Sequence, residues 1–366
     1  MRLIEIIEHL ESVAPLSYQE TYDNSGLLLG NKNLNVKSVL TCLDCTEEVI
    51  EEAINNNCNL IISHHPLLFK PIKKITYSNY NERIIYQAIK HDIAIYAMHT
   101  NLDNIDEGVS FIFANKLGLK NSQILKKKEN TLTQLITYCP KKFLKKIESA
   151  LFSVGAGKVG SKYDQCSFNM EGIGGFRPND NASPYIGDNN IRTTQGEMKL
   201  ELIFPTYLEK KIIKTLFEIH PYEEVAYQLI RLENNNSTVG AGVIGDLEKE
   251  MDVISFFKFL KKKFPFKVLK HTSFLKKNKV KKIAFCGGSG VFLLNEAINK
   301  NADIYITSDF KYHDFFEVDE NIIAVDIGHY ESEQFVPNLI SEILKKKFPK
   351  LAVDFTHINT NPISYY

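Results

Sequence analysis

The chain has 366 residues, 44% of them apolar, and its 44 Lys+Arg balance its 44 Asp+Glu to a formal net charge of zero. That length suggests about two or three domains, and the apolar fraction is ordinary for a globular protein in water. The neutral balance argues against a broad grip on nucleic acid or on a membrane surface, and no apolar run approaches the ~20 residues of a membrane span.

Residues 2–13 place Leu3, Ile6, Ile7 and Leu10 at helical spacing among acidic residues, a helix that Pro15 closes. They do not resemble a signal peptide, so the expected location is cytoplasmic. Tyr22–Gly30 reads as a loop entering a short strand, Val36–Leu43 as a strand ending at Asp44, and Glu47–Asn57 as a helix. Asp44 is expected to cap that helix. Leu60–Ile62 is a buried strand that stops at Ser63, His64, His65 and Pro66. Asn81–His91 is a helix, Ile93–Met98 a strand running into His99–Asp103, and Glu107–Leu117 a helix. Strands alternating with helices imply βαβ units and a largely parallel sheet, an α/β fold. Cys42 and Cys45 form one C-x-x-C with no second pair to complete a zinc ribbon, and are expected to be reduced and partly buried.

From about Thr131 the texture changes. Thr131–Tyr138 reads as a strand, Lys141–Phe152 as a helix and Gln165–Met170 as a strand. Gly172–Asn190 reads as turns and a hairpin, Glu197–Phe204 as a strand, Thr206–Ile219 as a helix and Val225–Leu232 as a strand. That order resembles a βαββαβ, ferredoxin-like module. The expected organisation is an α/β lobe over 1–130, an inserted α+β domain over 131–235, and a second α/β lobe over 236–366. In the last segment, Val253–Phe264 is a helix and Val280–Phe285 a strand. Gly287–Gly290 is a tight turn into helix Val291–Asn299. Ile304–Thr307 is a strand running into Ser308–His313, Ile322–Val325 a strand running into Asp326–His329, and a helix covers about Tyr330–Lys347.

The chemistry collects where strands end, because ligands of open α/β sheets sit at the carboxyl ends of strands. His64, His65, Asp103 and His329 all follow buried strands, and Glu333 lies one helical turn beyond His329, on its face. Five nitrogen and oxygen donors are more than one tetrahedral ion needs, whereas two ions sharing a carboxylate would use them all. Imidazole and carboxylate without thiolate suit Zn, Fe, Mn or Co. His99 reads as either a partner of the ligands or a general acid/base beside them. Asp309, Lys311 and His313 end a neighbouring strand and are candidates for binding substrate, with a plain surface turn as the alternative.

Ser63–His–His–Pro66, His99–Thr–Asn–Leu–Asp103 and Gly328–His–Tyr–Glu–Ser–Glu333 resemble the signature motifs of the NIF-three-like family, whose members are often labelled GTP cyclohydrolase 1 type 2 homologs. Cys286–Gly290, Ile306–His313 and His220–Pro–Tyr–Glu–Glu224 are similar to further stretches of its longer members. The resemblance implies a NIF-three-like core of two α/β lobes with a PII/CutA-like insert. It implies two divalent metal ions held by His64, His65, Asp103, His329 and Glu333, with Glu333 bridging. It also implies a homohexameric toroid and hydrolysis of a small-molecule substrate of purine type. The alternative is a non-enzymatic protein: a metal-binding or trafficking protein, or a regulatory hexamer whose insert senses a ligand.

Overall fold

Neighbouring side chains of a strand point to opposite faces, so an unbroken apolar strand must be covered on both. The computed structural model describes residues 1–158, 160, 162–274, 278–318, 320 and 322–366. They divide into one unit of Met1–Lys126 with Val239–Tyr366 and another of Lys127–Thr238.

The chain enters the first unit through α1 (Leu3–Val13), β1 (Gly26–Leu29), β2 (Ser38–Cys42), α2 (Glu47–Asn55), β3 (Leu60–Ser63), α3 (Tyr80–Lys90), β4 (Ala94–Ala97), α4 (Thr100–Asp103), α5 (Val109–Leu117) and β5 (Lys120–Lys127). It then builds the second unit from β6 (Leu132–Cys139), α6 (Leu144–Ser153), β7 (Phe168–Phe176), β8 (Thr193–Pro205), α7 (Glu209–Ile219) and β9 (Tyr227–Leu232). It returns to the first through β10 (Gly240–Asp252), α8 (Val253–Lys263), β11 (Lys270–His271), β12 (Lys279–Ser289), α9 (Leu294–Asn299), β13 (Ile304–Ser308), β14 (Ile323–Asp326), α10 (His329–Glu333), α11 (Val336–Lys347) and β15 (Ala352–Phe355).

The first unit holds two sheets, ordered β1-β4-β3-β2-β15 and β11-β14-β13-β12-β10-β5. In the first sheet β4, β3, β2 and β15 are parallel and β1 is an antiparallel edge. In the second, β12, β13 and β14 are parallel, flanked by antiparallel β10 and β11. The fold class is therefore mixed α/β with mainly parallel sheet centres. Alternation sets the layers. Leu60 and Ile62 of β3 pack with α1 and α11, while Ile61 packs with α2 and α3. Ile304 and Ile306 of β13 face α5 and α8, while Tyr305 faces α9. Each such fully buried aliphatic side chain contributes about 1.5–3 kcal/mol, so the strand ends are held on rigid ground.

In the second unit the sheet order is β7-β8-β6-β9, antiparallel throughout. Met198, Leu200, Leu202 and Phe204 of β8 alternate inward and pack with Ile147 and Leu151 of α6 and Ile212 and Leu216 of α7.

Several elements differ from the expectation. β7 continues through Phe176, with Gly172, Gly174 and Gly175 paired to Glu197, Gln195 and Thr194, so strand occupies part of the glycine-rich excursion. Pairing with β8 compensates for the weak strand propensity of glycine. The long C-terminal helix is two helices: α10 stops at Glu333 and α11 restarts at Val336 with Pro337 in its first turn, where a missing N–H costs nothing. The tight turn at Gly287–Gly290 is largely the irregular end of β12, whose pairing with β13 shifts register between Phe285 and Ser289.

Candidate metal centre

β3 delivers the histidine pair. The N–H groups of His64 and His65 donate to the carbonyls of Cys42 and Leu43 at 3.0 and 2.9 Å, so pairing with β2 outlasts the strand. The Ser63 hydroxyl donates to the His65 carbonyl at 2.8 Å and turns the chain there. The two rings come to 5.0 Å between centroids instead of diverging across a sheet. β4 delivers the next group: after Met98, His99 occupies the N-cap position of α4, and Asp103 is that helix's last residue. From the second sheet, β14 leads through Gly328, whose φ of +94° suits glycine, into His329 at the start of α10.

These side chains meet around Glu333, which is 3% exposed. Its Oε1 lies 3.7 Å from His64 Nε2, which is itself 3.6 Å from Asp103 Oδ1. Its Oε2 lies 3.0 Å from His65 Nε2 and 3.2 Å from His329 Nε2, and those two nitrogens are 3.3 Å apart. His64, Asp103 and Glu333 thus form one group, and His65, His329 and Glu333 another. A third comprises His64, His65 and His99, and in each group the donor atoms lie within 4.8 Å of one another. These groups could hold a metal ion.

Two observations fit these donors holding a metal ion. His64 Nε2 and Asp103 Oδ1 are buried with no hydrogen-bond partner among the described residues, a costly state for polar atoms. The outer nitrogens are also fixed: His64 Nδ1 donates to the Met98 carbonyl at 2.7 Å, leaving Nε2 as the lone-pair nitrogen. His65 Nδ1 contacts Asp44 at 2.7 Å, His329 Nδ1 contacts Asp309 at 2.7 Å, and His99 Nδ1 contacts Asp23 at 2.8 Å.

Without a cation, protons hold the cluster together. Burial alone would lower the His65 and His329 imidazoles. Hydrogen bonds to Asp44 and Glu333 instead push His65 up to about 10, and those to Asp309 and Glu333 push His329 up to about 11. Burial and the charge of Glu333 raise the Asp103 carboxyl to about 7. For Glu333 burial acts upward too, but the surrounding imidazoles, His329 foremost, hold it well below the usual carboxylate range.

Glycine makes room for this arrangement. Gly288 has φ +59°, and a Cβ there would collide with Glu333 Oε1 and lie 3.3 Å from His329 Nε2. Its N–H donates to the Ser332 hydroxyl at 2.9 Å, and its carbonyl accepts from Thr307 and Ser308 at 3.0 and 2.5 Å. The sequence signals for this stretch are the glycine run and the resemblance of Cys286–Gly290 to a family stretch.

Other residues take different places from those expected. Asp44 does not cap α2; Thr46 does, accepting from the Val49 N–H at 3.3 Å, and Asp44 instead binds His65. Thr360, near the chain's end, donates to the other Asp44 oxygen at 3.0 Å. Asp309 reaches the site as the partner of His329, whereas Lys311 and His313 are exposed and are not among the residues lining its cavity. Asp23, which the sequence reading passed over, accepts from His99 and from the Thr100 N–H at 3.0 Å. Cys42 and Cys45 are buried free thiols, and burial pushes Cys45 up to about 12, far from a reactive thiolate.

The cluster opens into a cavity of about 1110 Å³ within the first unit, which the segment from Ile358 to Ile363 also lines. Fold and site together define a two-sheet α/β protein with an imidazole–carboxylate cluster at the facing strand ends. The family model of DUF34/NIF3 (NGG1p interacting factor 3) matches residues 1–362, and the chain belongs to that family. It is 36% identical over 369 residues to a Bacillus subtilis protein named GTP cyclohydrolase 1 type 2 homolog, covering 99% of this chain and 98% of that one. A Staphylococcus epidermidis protein of the same name is 34% identical, with 100% of both chains covered. A solved Bacillus cereus structure described as related to NIF3 superposes with a TM-score of 0.86 at 34% identity, covering 100% of this chain and 99% of that one.

Proposed function

We propose that the chain is a dinuclear-metal-dependent hydrolase. His64, Asp103 and Glu333 would hold one divalent cation, and His65, His329 and Glu333 the other. The observation that carries this reading is Glu333, whose two oxygens face two separate donor groups. When bound, a cation pair supplies Lewis acidity and a water acidic enough to ionise near neutral pH; the donor set suits Zn, Fe, Mn or Co.

The protein's own contribution is positioning. Met98, Asp44 and Asp309 hold the three ligand imidazoles by their Nδ1 atoms, so the Nε2 atoms stay aimed inward. His99, anchored to Asp23 through Nδ1, keeps Nε2 to take or give a proton beside the reacting group. The relatives' name supports a purine-type ring as one candidate substrate. Formate release from GTP, and ring opening of neutral cyclic amides, by protein loaded with Mn²⁺ test the reading. Turnover that disappears in Asp103→Asn supports it. A fully loaded protein that turns over neither kind of compound contradicts it.

The second unit favours the alternative, a regulatory role. Its βαββαβ element order with strands ordered β7-β8-β6-β9 supports a ferredoxin-like insert. It also carries a cavity of about 680 Å³ between β7, the 177–186 segment and Tyr222, and the Tyr222 hydroxyl donates to Glu197 at 2.6 Å in its wall. A homohexamer belongs to either reading, and light scattering of the full chain measures it.

A further inference from the structure

The wall of the metal-site cavity speaks to the substrate. Its described lining includes the carboxylates of Glu20, Asp44, Glu48, Asp103 and Glu333, and not one lysine or arginine. Phosphate-binding sites are normally built from those cations or from bare helix N-termini. The N-terminus of α2 reaches this wall at Thr46, but Thr46 caps it and Glu47 and Glu48 occupy its first turn. Charge there opposes an anion.

The rest of the wall is aromatic. Tyr22, Phe69, Tyr80 and Phe292 line the cavity and are 67%, 51%, 44% and 60% exposed. Phe69 meets the His99 ring edge-on at 5.6 Å, so this apolar surface runs up to the cluster. Large aromatic side chains exposed together around a polar cluster mark a ligand-binding groove, and flat π-faces suit a planar ring. Asn359, from the C-terminal segment, adds an amide N–H donor to the same wall, while the Asn361 amide is tied to Glu331 and to the Ile363 N–H.

We propose, building on the hydrolase reading, that this cavity takes an uncharged planar ring, a heterocycle or cyclic amide, and not a nucleoside triphosphate. Asp103 and Glu333 already offset part of the charge of a cation pair, and Asp44 and Glu48 stand in the same wall. With His65 and His329 serving the cations as neutral ligands, a triphosphate would add about four negative charges there with no lysine or arginine to meet them. The ring would lie against Phe69 and Phe292, its carbonyl or amidine carbon toward Glu333.

The test is a charge ladder on one ring. Guanosine, its monophosphate and its triphosphate are titrated by calorimetry into the full-length protein, metal-free and Mn²⁺-loaded, beside neutral lactams such as hypoxanthine. The expected result is binding of the neutral rings, with affinity that does not rise as phosphates are added. Phe292→Ala, an exposed position, should weaken ring binding about fivefold or more. A rise of about tenfold or more from nucleoside to triphosphate in the Mn²⁺-loaded protein overturns the proposal. So does a neutral-ring affinity that Phe292→Ala leaves unchanged, or no neutral ring binding at all. Neutral rings that bind without being hydrolysed would sink the hydrolase reading and leave this one standing. Hydrolysis of a tightly held triphosphate would do the reverse.

Discussion

Replacing Glu333 with glutamine separates charge from shape. The amide fills the same buried space but presents one neutral oxygen, so one donor group loses one of its three protein ligands and the other keeps only an uncharged one. A charge-assisted contact contributes about 1.5–3 kcal/mol. Each cation should therefore bind about 10- to 150-fold more weakly, and loading of both should fall about 10²- to 10⁴-fold. Equilibrium dialysis against Mn²⁺ or Zn²⁺ followed by elemental analysis reads the stoichiometry, and circular dichroism checks that the variant is folded. Wild type should retain two cations per chain, and Glu333→Gln at most one at micromolar free metal. A folded variant that still binds two with wild-type affinity would refute the bridging role.

Asp44→Asn removes the carboxylate that holds His65 Nδ1 at 2.7 Å, and should lower metal affinity about 10- to 100-fold with little change in melting temperature. Gly288→Ala puts a methyl group against Glu333 at a φ of +59°. It should cost about 1–2 kcal/mol in denaturant unfolding and reduce cation binding, whereas a wild-type metal stoichiometry would contradict the packing argument. Because His65 and His329 titrate at about 10 and 11 in the metal-free chain, both are protonated at pH 7.5. Cation uptake there should release about two protons, read by calorimetry in buffers of different ionisation enthalpy. These raised values also stabilise the metal-free fold fully only below the unfolded imidazole value of about 6.5. That stability is lost as pH rises through about 10 and 11, so the melting temperature of metal-free protein should decline on the alkaline side.

Much of the first unit was legible because its strands are short apolar runs between amphipathic helices. β3 and β4 announce themselves this way, and His64, His65, His99 and Asp103 follow them directly. The i, i+4 spacing of His329 and Glu333 likewise foretold their shared approach. Edge elements were harder to read. β5 buries only Ile124 and Leu125 of its eight residues, and β10 carries glycines and acids that no periodicity marks, so backbone pairing alone makes them strands. The supporting partners of the cluster were hidden for another reason. Asp23, Asp44 and Thr360 are far apart in sequence, in loops or near chain ends, and only folding brings them to His99 and His65. Their residue types suit caps and turns equally well, which is how Asp44 came to be read as a cap.

The most direct test is a crystal of the full chain soaked in Mn²⁺ and measured for anomalous scattering. The account predicts two peaks flanking Glu333, one among His64, Asp103 and Oε1 and one among His65, His329 and Oε2. A cluster without bound metal, or a single peak away from Glu333, would contradict it.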